Sequence, residues 1–237
     1  MTGAAALAAV LLTLAVVNVW VHVGPRRAQL VTGPLAAALL LGVGRAAGLS
    51  WDELGLGPGS LARGARWGGL CAGIVVAGYA LVLAVPPARR FFRDVRYRLG
   101  IRSALAMALL AVPLGTVVFE EVAFRGVLWG LVEEANGPVW ATAATSLLFG
   151  AWHVLPALDL ARTNTALAGS GSGTKLVATV LGTVAFTAAA GVLFAELRRQ
   201  SGSLLGPVLL HWATNGAGVL ASAIVWEISR GRFRSPG

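Results

Sequence analysis

The sequence predicts an all-α protein, a polytopic bundle of about seven to eight transmembrane helices. Of its 237 residues, 57% are hydrophobic and 12% are charged, whereas soluble domains carry about 25% charged residues. The hydrophobic residues form separate runs long enough to span a bilayer as helices. The net charge of +9 lies in short connecting stretches, which indicates membrane topology and lipid contact and argues against a nucleic-acid partner.

Three of the apolar segments lie in the first half of the chain, at residues 4–23, 28–49 and 67–85. The first is too long for a signal-peptide core and has no basic region before it, so we predict a retained transmembrane helix. Between the second and third, Ser50 and the acid pair Asp52-Glu53 predict a short surface helix that ends at glycines. The abundance of Ala, Gly and Arg is typical of a GC-rich bacterial genome, so we expect an integral protein of a bacterial cytoplasmic membrane.

A strongly basic stretch with interspersed aromatic residues follows the third segment, at residues 88–102. Its arginines are Arg89, Arg90, Arg93, Arg96, Arg98 and Arg102. The pattern is typical of a basic amphipathic helix that lies on an anionic membrane surface. We therefore expect anionic lipid to bind the loop from Arg89 to Arg102, and the positive-inside rule places this loop in the cytoplasm.

Four more apolar segments complete the chain, at about residues 103–132, 139–155, 175–197 and 206–226. We expect Pro113 to distort the long fourth segment, and the glycine- and serine-rich tract at 169–173, within the polar loop 157–174, to be flexible. The predicted organisation has three parts. They are N-terminal membrane segments with the basic loop (1–102), a helical core (103–228) and a basic tail (229–237).

The fourth segment carries Glu120, Glu121 and Arg125 where a membrane helix is normally apolar. An ionised residue at the centre of such a helix costs about 2.5 to 3.5 kcal/mol on insertion scales. Glu121 and Arg125 are four residues apart and can pair on one helix face, whereas Glu120 is rotated by about 100° and points elsewhere. A purely structural ion pair is one interpretation, but ionisable residues inside membranes generally mark a functional site.

Two later segments add further polar side chains. His153 follows Phe149 by four residues, and Asn215 follows His211 by four, so each pair shares a helix face. If the three segments are adjacent, Glu120, His153, His211 and Asn215 converge on one buried pocket. The single cysteine provides neither a disulfide framework nor a cysteine metal site.

The motifs Glu-Glu-x-x-x-Arg, Phe-x-x-x-His and His-x-x-x-Asn, in this order on separate apolar segments, resemble those of the CPBP family. This family, also called ABI, comprises CAAX proteases and bacteriocin-processing intramembrane endopeptidases. The resemblance covers about residues 103–220, with a family-like Glu-Leu-Gly-Leu at 53–56. It implies hydrolysis of a peptide bond, at or near the membrane, in a peptide or membrane-protein substrate.

The same resemblance implies roles for the individual residues. Glu120, helped by His153, would deprotonate a water molecule, and His211 and Asn215 would stabilise the oxyanion. Glu121 with Arg125 would orient Glu120. The family also leaves a metalloprotease mechanism open, in which zinc is the cofactor and its ligands are Glu120, His153 and His211.

Two functions of other classes fit the same residues. A non-enzymatic membrane immunity or scaffolding protein would keep the fold and act by binding a partner. A transporter or proton relay would use the buried Glu and His residues, although the sequence has no obvious inverted repeat with matched broken helices.

Overall fold

A computed structural model describes residues 1–25, 28–163 and 173–232 of the protein, which form eight helices and contain no strand. The helices are α1 Gly3–Val23, α2 Gln29–Ala47, α3 Leu61–Ala84, α4 Ile101–Asn136, α5 Pro138–Trp152, α6 Val154–Thr163, α7 Gly173–Ser201 and α8 Leu205–Arg232. Among these residues, seven helical segments are long and apolar enough to cross a membrane, with α5 and α6 counted as one. The predicted all-α polytopic fold is therefore confirmed, and the protein is an integral membrane protein.

Helix α4 lies at the centre of the bundle, because α1, α2, α5, α7 and α8 all contact it. Its buried side chains, among them Phe119, Phe124 and Leu128, form the middle of the main hydrophobic core. Helix α3 packs along α8, and α5 packs along α7. The polar residues of α4 are thereby enclosed by helices on several sides.

Helices α3 and α8 approach closely at Gly68, where an added Cβ would lie 2.7 Å from the carbonyl oxygen of Gly206. We expect Gly68→Ala to lower the free energy of unfolding by about 1 to 3 kcal/mol, since the helices must move apart. The matched control is Gly69→Ala, because an added Cβ there meets nothing within 4 Å. Thermal unfolding in detergent checks this, and equal midpoints for the two variants would contradict it.

Most predicted segments lie within a few residues of the observed helices, but α8 ends six residues later than predicted and α3 begins six residues earlier. Helix α3 begins at Leu61, whereas the apolar run predicted residue 67. The earlier turns contain Arg63 and Arg66, which interrupt the apolar run without interrupting the helix. Arg63 is satisfied there, since its Nε donates to the Ser201 carbonyl at 2.8 Å.

The predicted short surface helix after Ser50 is wrong, because residues 51–55 form turns folded into the bundle. Ser50 and Glu53 do cap each other, but Gly55 adopts a positive φ of 76° and ends the turn. Leu54 is completely buried in the core. Arg198 of α7 donates from Nη2 to the carbonyl oxygens of Asp52 and Glu53, at 3.2 and 2.8 Å.

The predicted basic amphipathic helix is also wrong. In its place, two 3-10 turns, Pro86–Phe92 and Val95–Tyr97, form an irregular segment that we call the strap, residues 86–98. The paired prolines favour a break from regular helix at its start. Asp94, which is buried, then caps the second turn by accepting from the Arg96 backbone N–H at 2.9 Å.

The expected distortion at Pro113 takes the form of wider, π-helical turns, Met107–Ala111 and Pro113–Val117, with a third at Val122–Leu128 directly after the acid pair. A proline removes one backbone hydrogen bond, which favours such local widening. The predicted loop 157–174 is partly helical, because α6 extends to Thr163. Most of the predicted flexible tract and the end of the basic tail lie outside the described residues.

Candidate active site

The charged centre of α4 is an ion pair between Glu121 and Arg125, both completely buried. Arg125 Nη1 donates to Glu121 Oε1 at 3.0 Å, the contact that the four-residue spacing predicts. The guanidinium carbon lies 4.0 Å from the ring centre of Phe149 and 4.9 Å from that of Phe194. Cation–π attraction therefore supplements the carboxylate in stabilising a charge that is removed from water.

His211 of α8 is the second partner of Glu121, since its Nδ1 lies 2.7 Å from Glu121 Oε1. A carboxylate only accepts hydrogen bonds, so Nδ1 carries the hydrogen and donates it. In the neutral ring this leaves a lone pair on Nε2, which accepts from Asn215 Nδ2 at 3.1 Å. The ring stacks on Phe194 with a centroid distance of 5.1 Å, so both its position and its tautomer are fixed.

Glu120, next to this pair on α4, has two carboxylate oxygens in different surroundings. Oε1 accepts a hydrogen bond from the indole Nε1 of Trp152 at 3.0 Å. Oε2 is buried, and no described residue donates a hydrogen bond to it. It lies 3.8 Å from His211 Nε2. One oxygen is thus held in place while the other is available to accept a proton.

The indole of Trp152 is a contact that the sequence motifs did not reveal. Trp152 directly precedes His153 in the sequence, and a tryptophan at this position could equally have a packing role alone. Its ring also packs against Phe119 and Phe124, with centroid distances of 5.9 Å in each case. Only the packing of α5 on α4 brings the indole to the carboxylate.

His153 lies at the C-terminal end of α5, with Nδ1 2.7 Å from the carbonyl oxygen of Phe149. A carbonyl oxygen accepts, so Nδ1 donates and Nε2 remains the acceptor of the neutral ring. The Phe149 ring packs edge-on against the imidazole at a centroid distance of 4.5 Å. The pairing of Phe149 with His153 that the sequence predicts is therefore present.

A pocket of about 480 Å³ joins three of the predicted residues, because Glu120, His153 and Asn215 all line it. His211, Glu121 and Arg125 do not line it, but His211 contacts the lining residue Asn215 and lies 3.8 Å from Glu120. The strap supplies another part of the lining, with Asp94 and Arg96. These two residues were missed as candidates because the strap was expected to be a surface helix.

Arg96 and Asp94 form a close ion pair beside this pocket, with Arg96 Nη2 2.7 Å from Asp94 Oδ2. Burial by itself lowers the pKa of Arg96, but the hydrogen bonds to Asp94 and its negative charge outweigh burial and raise the pKa above its usual value. Arg96 therefore stays charged at the pocket wall.

The zinc alternative required Glu120, His153 and His211 to converge. Among the residues that the structure describes, no group of three or more His, Cys, Asp or Glu side chains is placed to hold a metal ion. The arrangement consequently does not fit the three-ligand set expected for a catalytic zinc.

The fold and the site together define a polytopic membrane protein with a polar, carboxylate- and imidazole-containing centre inside its helical bundle. The sequence model of the family described as type II CAAX prenyl endopeptidase Rce1-like matches residues 102–217. This match covers just under half of the chain and confirms the resemblance to the CAAX proteases, a family of membrane proteases. Neither the comparison with curated proteins nor that with solved structures found a match.

Proposed function

We propose that the protein is an intramembrane endopeptidase that hydrolyses a peptide bond at or near the membrane, with Glu120 as the general base. One observation carries the proposal. Glu120 has one oxygen anchored by the Trp152 indole and a second, unpartnered oxygen 3.8 Å from His211 Nε2, at the wall of a pocket shared with His153 and Asn215. The match of residues 102–217 to a CAAX endopeptidase family supports it.

In the first step, a water molecule donates a hydrogen bond to Glu120 Oε2 and loses that proton to it. The water oxygen attacks the carbonyl carbon, a C–O bond forms, and the carbonyl π electrons move to oxygen as an oxyanion. When the intermediate collapses, the C–N bond breaks and the protonated Glu120 returns its proton to the leaving amine. The His153 Nε2 lone pair lies on the same wall and would help to position the water.

Oxyanion stabilisation falls to Asn215 and His211. Asn215 Nδ2 uses one N–H for His211 Nε2, and its second N–H is available to an oxyanion. His211 supports this donor, because the Glu121 carboxylate holds the hydrogen on Nδ1 and the Nε2 lone pair then fixes the Asn215 amide. Arg125 in turn forms an ion pair with Glu121 and so compensates the negative charge next to Glu120.

The decisive variant is Glu120→Gln, which keeps the side-chain shape and removes the base. Protein N-termini in membranes of cells carrying this variant are compared with those of wild type and of Glu134→Gln, an exposed glutamate on the same helix. We expect specific termini to be present with wild type and Glu134→Gln and absent with Glu120→Gln at equal protein abundance. Base removal should slow peptide cleavage by about 10² to 10⁴-fold.

The same cleavage assay distinguishes glutamate chemistry from zinc chemistry, and a protease from a non-enzymatic protein. Purified protein acting on the peptide found above should retain its activity in a metal chelator, and loss of activity would favour the zinc mechanism. Identical termini for all three proteins, with the cellular effects of the protein intact, would contradict the protease proposal. They would favour a non-enzymatic immunity or scaffolding role.

A further inference from the structure

We propose that a cleft between the strap and α8 binds the phosphate-containing headgroup of an anionic phospholipid. The cleft has a volume of about 420 Å³. Its residues are Pro86, Pro87, Arg89, Arg90 and Arg93 of the strap and Val225, Ile228 and Ser229 of α8. This site is separate from the catalytic pocket, and the proposal does not depend on protease activity.

The charge of the cleft favours an anion. Three arginines line it, and no acidic side chain does so among the described residues. A guanidinium presents a planar fork of N–H groups that matches phosphate oxygens, so three of them suit a phosphate group.

The position of the cleft favours a lipid over a free anion. Helix α3 ends at Ala84, α4 begins at Ile101 and the span of α8 ends at Arg230. Both α3 and α8 contact the strap, and α8 also contacts the start of α4, so these three span ends are expected to lie at one membrane surface. Headgroups lie at this level. The partly exposed Ile228 gives the cleft an apolar wall, which can contact the glycerol and upper acyl chain of a lipid while the arginines contact its phosphate.

Other residues of the strap, Asp94 and Arg96 among them, line the proposed catalytic pocket. The strap is attached to α8 there, because the Asp94 carbonyl oxygen accepts from Trp226 Nε1 at 3.0 Å and from Ser222 Oγ at 3.4 Å. A headgroup that bridges Arg89, Arg90 and Arg93 to α8 would add a second attachment. Bound lipid is therefore expected to stabilise the strap as a wall of the pocket.

The test measures binding of phosphatidylglycerol to the purified full-length protein by native mass spectrometry. The variant Arg90→Gln/Arg93→Gln is compared with Arg66→Gln/Arg162→Gln, which removes two exposed arginines outside the cleft. Each basic residue near a lipid surface contributes about 1 kcal/mol. We therefore expect roughly thirtyfold weaker binding for the cleft variant, and wild-type affinity for the control.

Two further binding measurements identify the ligand as an anionic lipid. Phosphatidylcholine should bind wild type more weakly than phosphatidylglycerol, and inorganic phosphate should not compete with the lipid at equal concentration. Added phosphatidylglycerol should raise the thermal unfolding midpoint of wild type and the control, but not that of the cleft variant.

Any of three results would overturn the proposal. They are equal lipid affinity for the two double variants, equal affinity for the two lipids, and competition by phosphate that marks a free-anion site. If the double variant does not fold, the single variant Arg90→Gln replaces it, and its affinity for phosphatidylglycerol should be about fivefold weaker than that of wild type. Wild-type affinity for this single variant would overturn the proposal.

Discussion

Replacing Arg125 by methionine is expected to lower the free energy of unfolding by about 3 to 5 kcal/mol. Removal of one partner of a buried ion pair leaves the other charge uncompensated, and Glu121 is completely buried. The variant also loses the cation–π contacts with Phe149 and Phe194. Chemical denaturation of the purified protein in detergent measures the change.

Two control variants distinguish the effect of an uncompensated buried charge from the effect of replacing an arginine side chain by methionine. Arg66→Met makes the same replacement at an exposed position and should leave stability within about 0.5 kcal/mol of wild type. Glu121→Gln/Arg125→Met removes both charges and should be more stable than Arg125→Met alone. A double variant no more stable than the single one would mean that packing of Arg125, and not the orphaned carboxylate, dominates its contribution.

Asn215→Leu is expected to lower kcat by about 10² to 10³-fold, the usual cost of losing one oxyanion donor. The fold should survive, because the hydrogen bond that Asn215 Nδ2 makes in the structure is the one to His211 Nε2 within the same helix. The Michaelis constant should change little, since the lost interaction belongs to the transition state. Steady-state kinetics on the peptide identified through its new terminus gives both constants.

The matched control for this experiment is Asn136→Leu, which makes the same replacement at an exposed residue that ends α4. It should keep wild-type kinetics. A rise in the Michaelis constant with kcat unchanged for Asn215→Leu would instead place Asn215 in contact with the ground-state substrate. It would argue against the oxyanion role.

Contacts between side chains of the same helix could be predicted from the sequence, because helix geometry determines which residues share a face. The contact of Glu121 with Arg125 and that of His211 with Asn215 each follow from a spacing of four. The partner of Glu120 could not be predicted in this way. Its hydrogen bond comes from Trp152, 32 residues away. This contact depends on how α5 packs against α4, and the π-helical turns of α4 change the directions in which its side chains point.

The membrane spans were predictable for a similar reason, since each depends on the length and polarity of one continuous run. The irregular segments were not. The turns after Ser50 are held by Arg198, and the strap is held by Trp226 and Ser222 of α8. A run of charged or small residues contains no information about a partner more than a hundred residues away.

The turns after Ser50 have a consequence for any attempt to shorten or transplant this protein. Leu54 fills the core beside α4, and the backbone of the turns supplies acceptors for the mostly buried Arg198. A chimera that carried only residues 102–217 into another scaffold would therefore leave a guanidinium without acceptors and a hole in the core. A shortened version of the protein must therefore retain these turns together with the helices against which they pack.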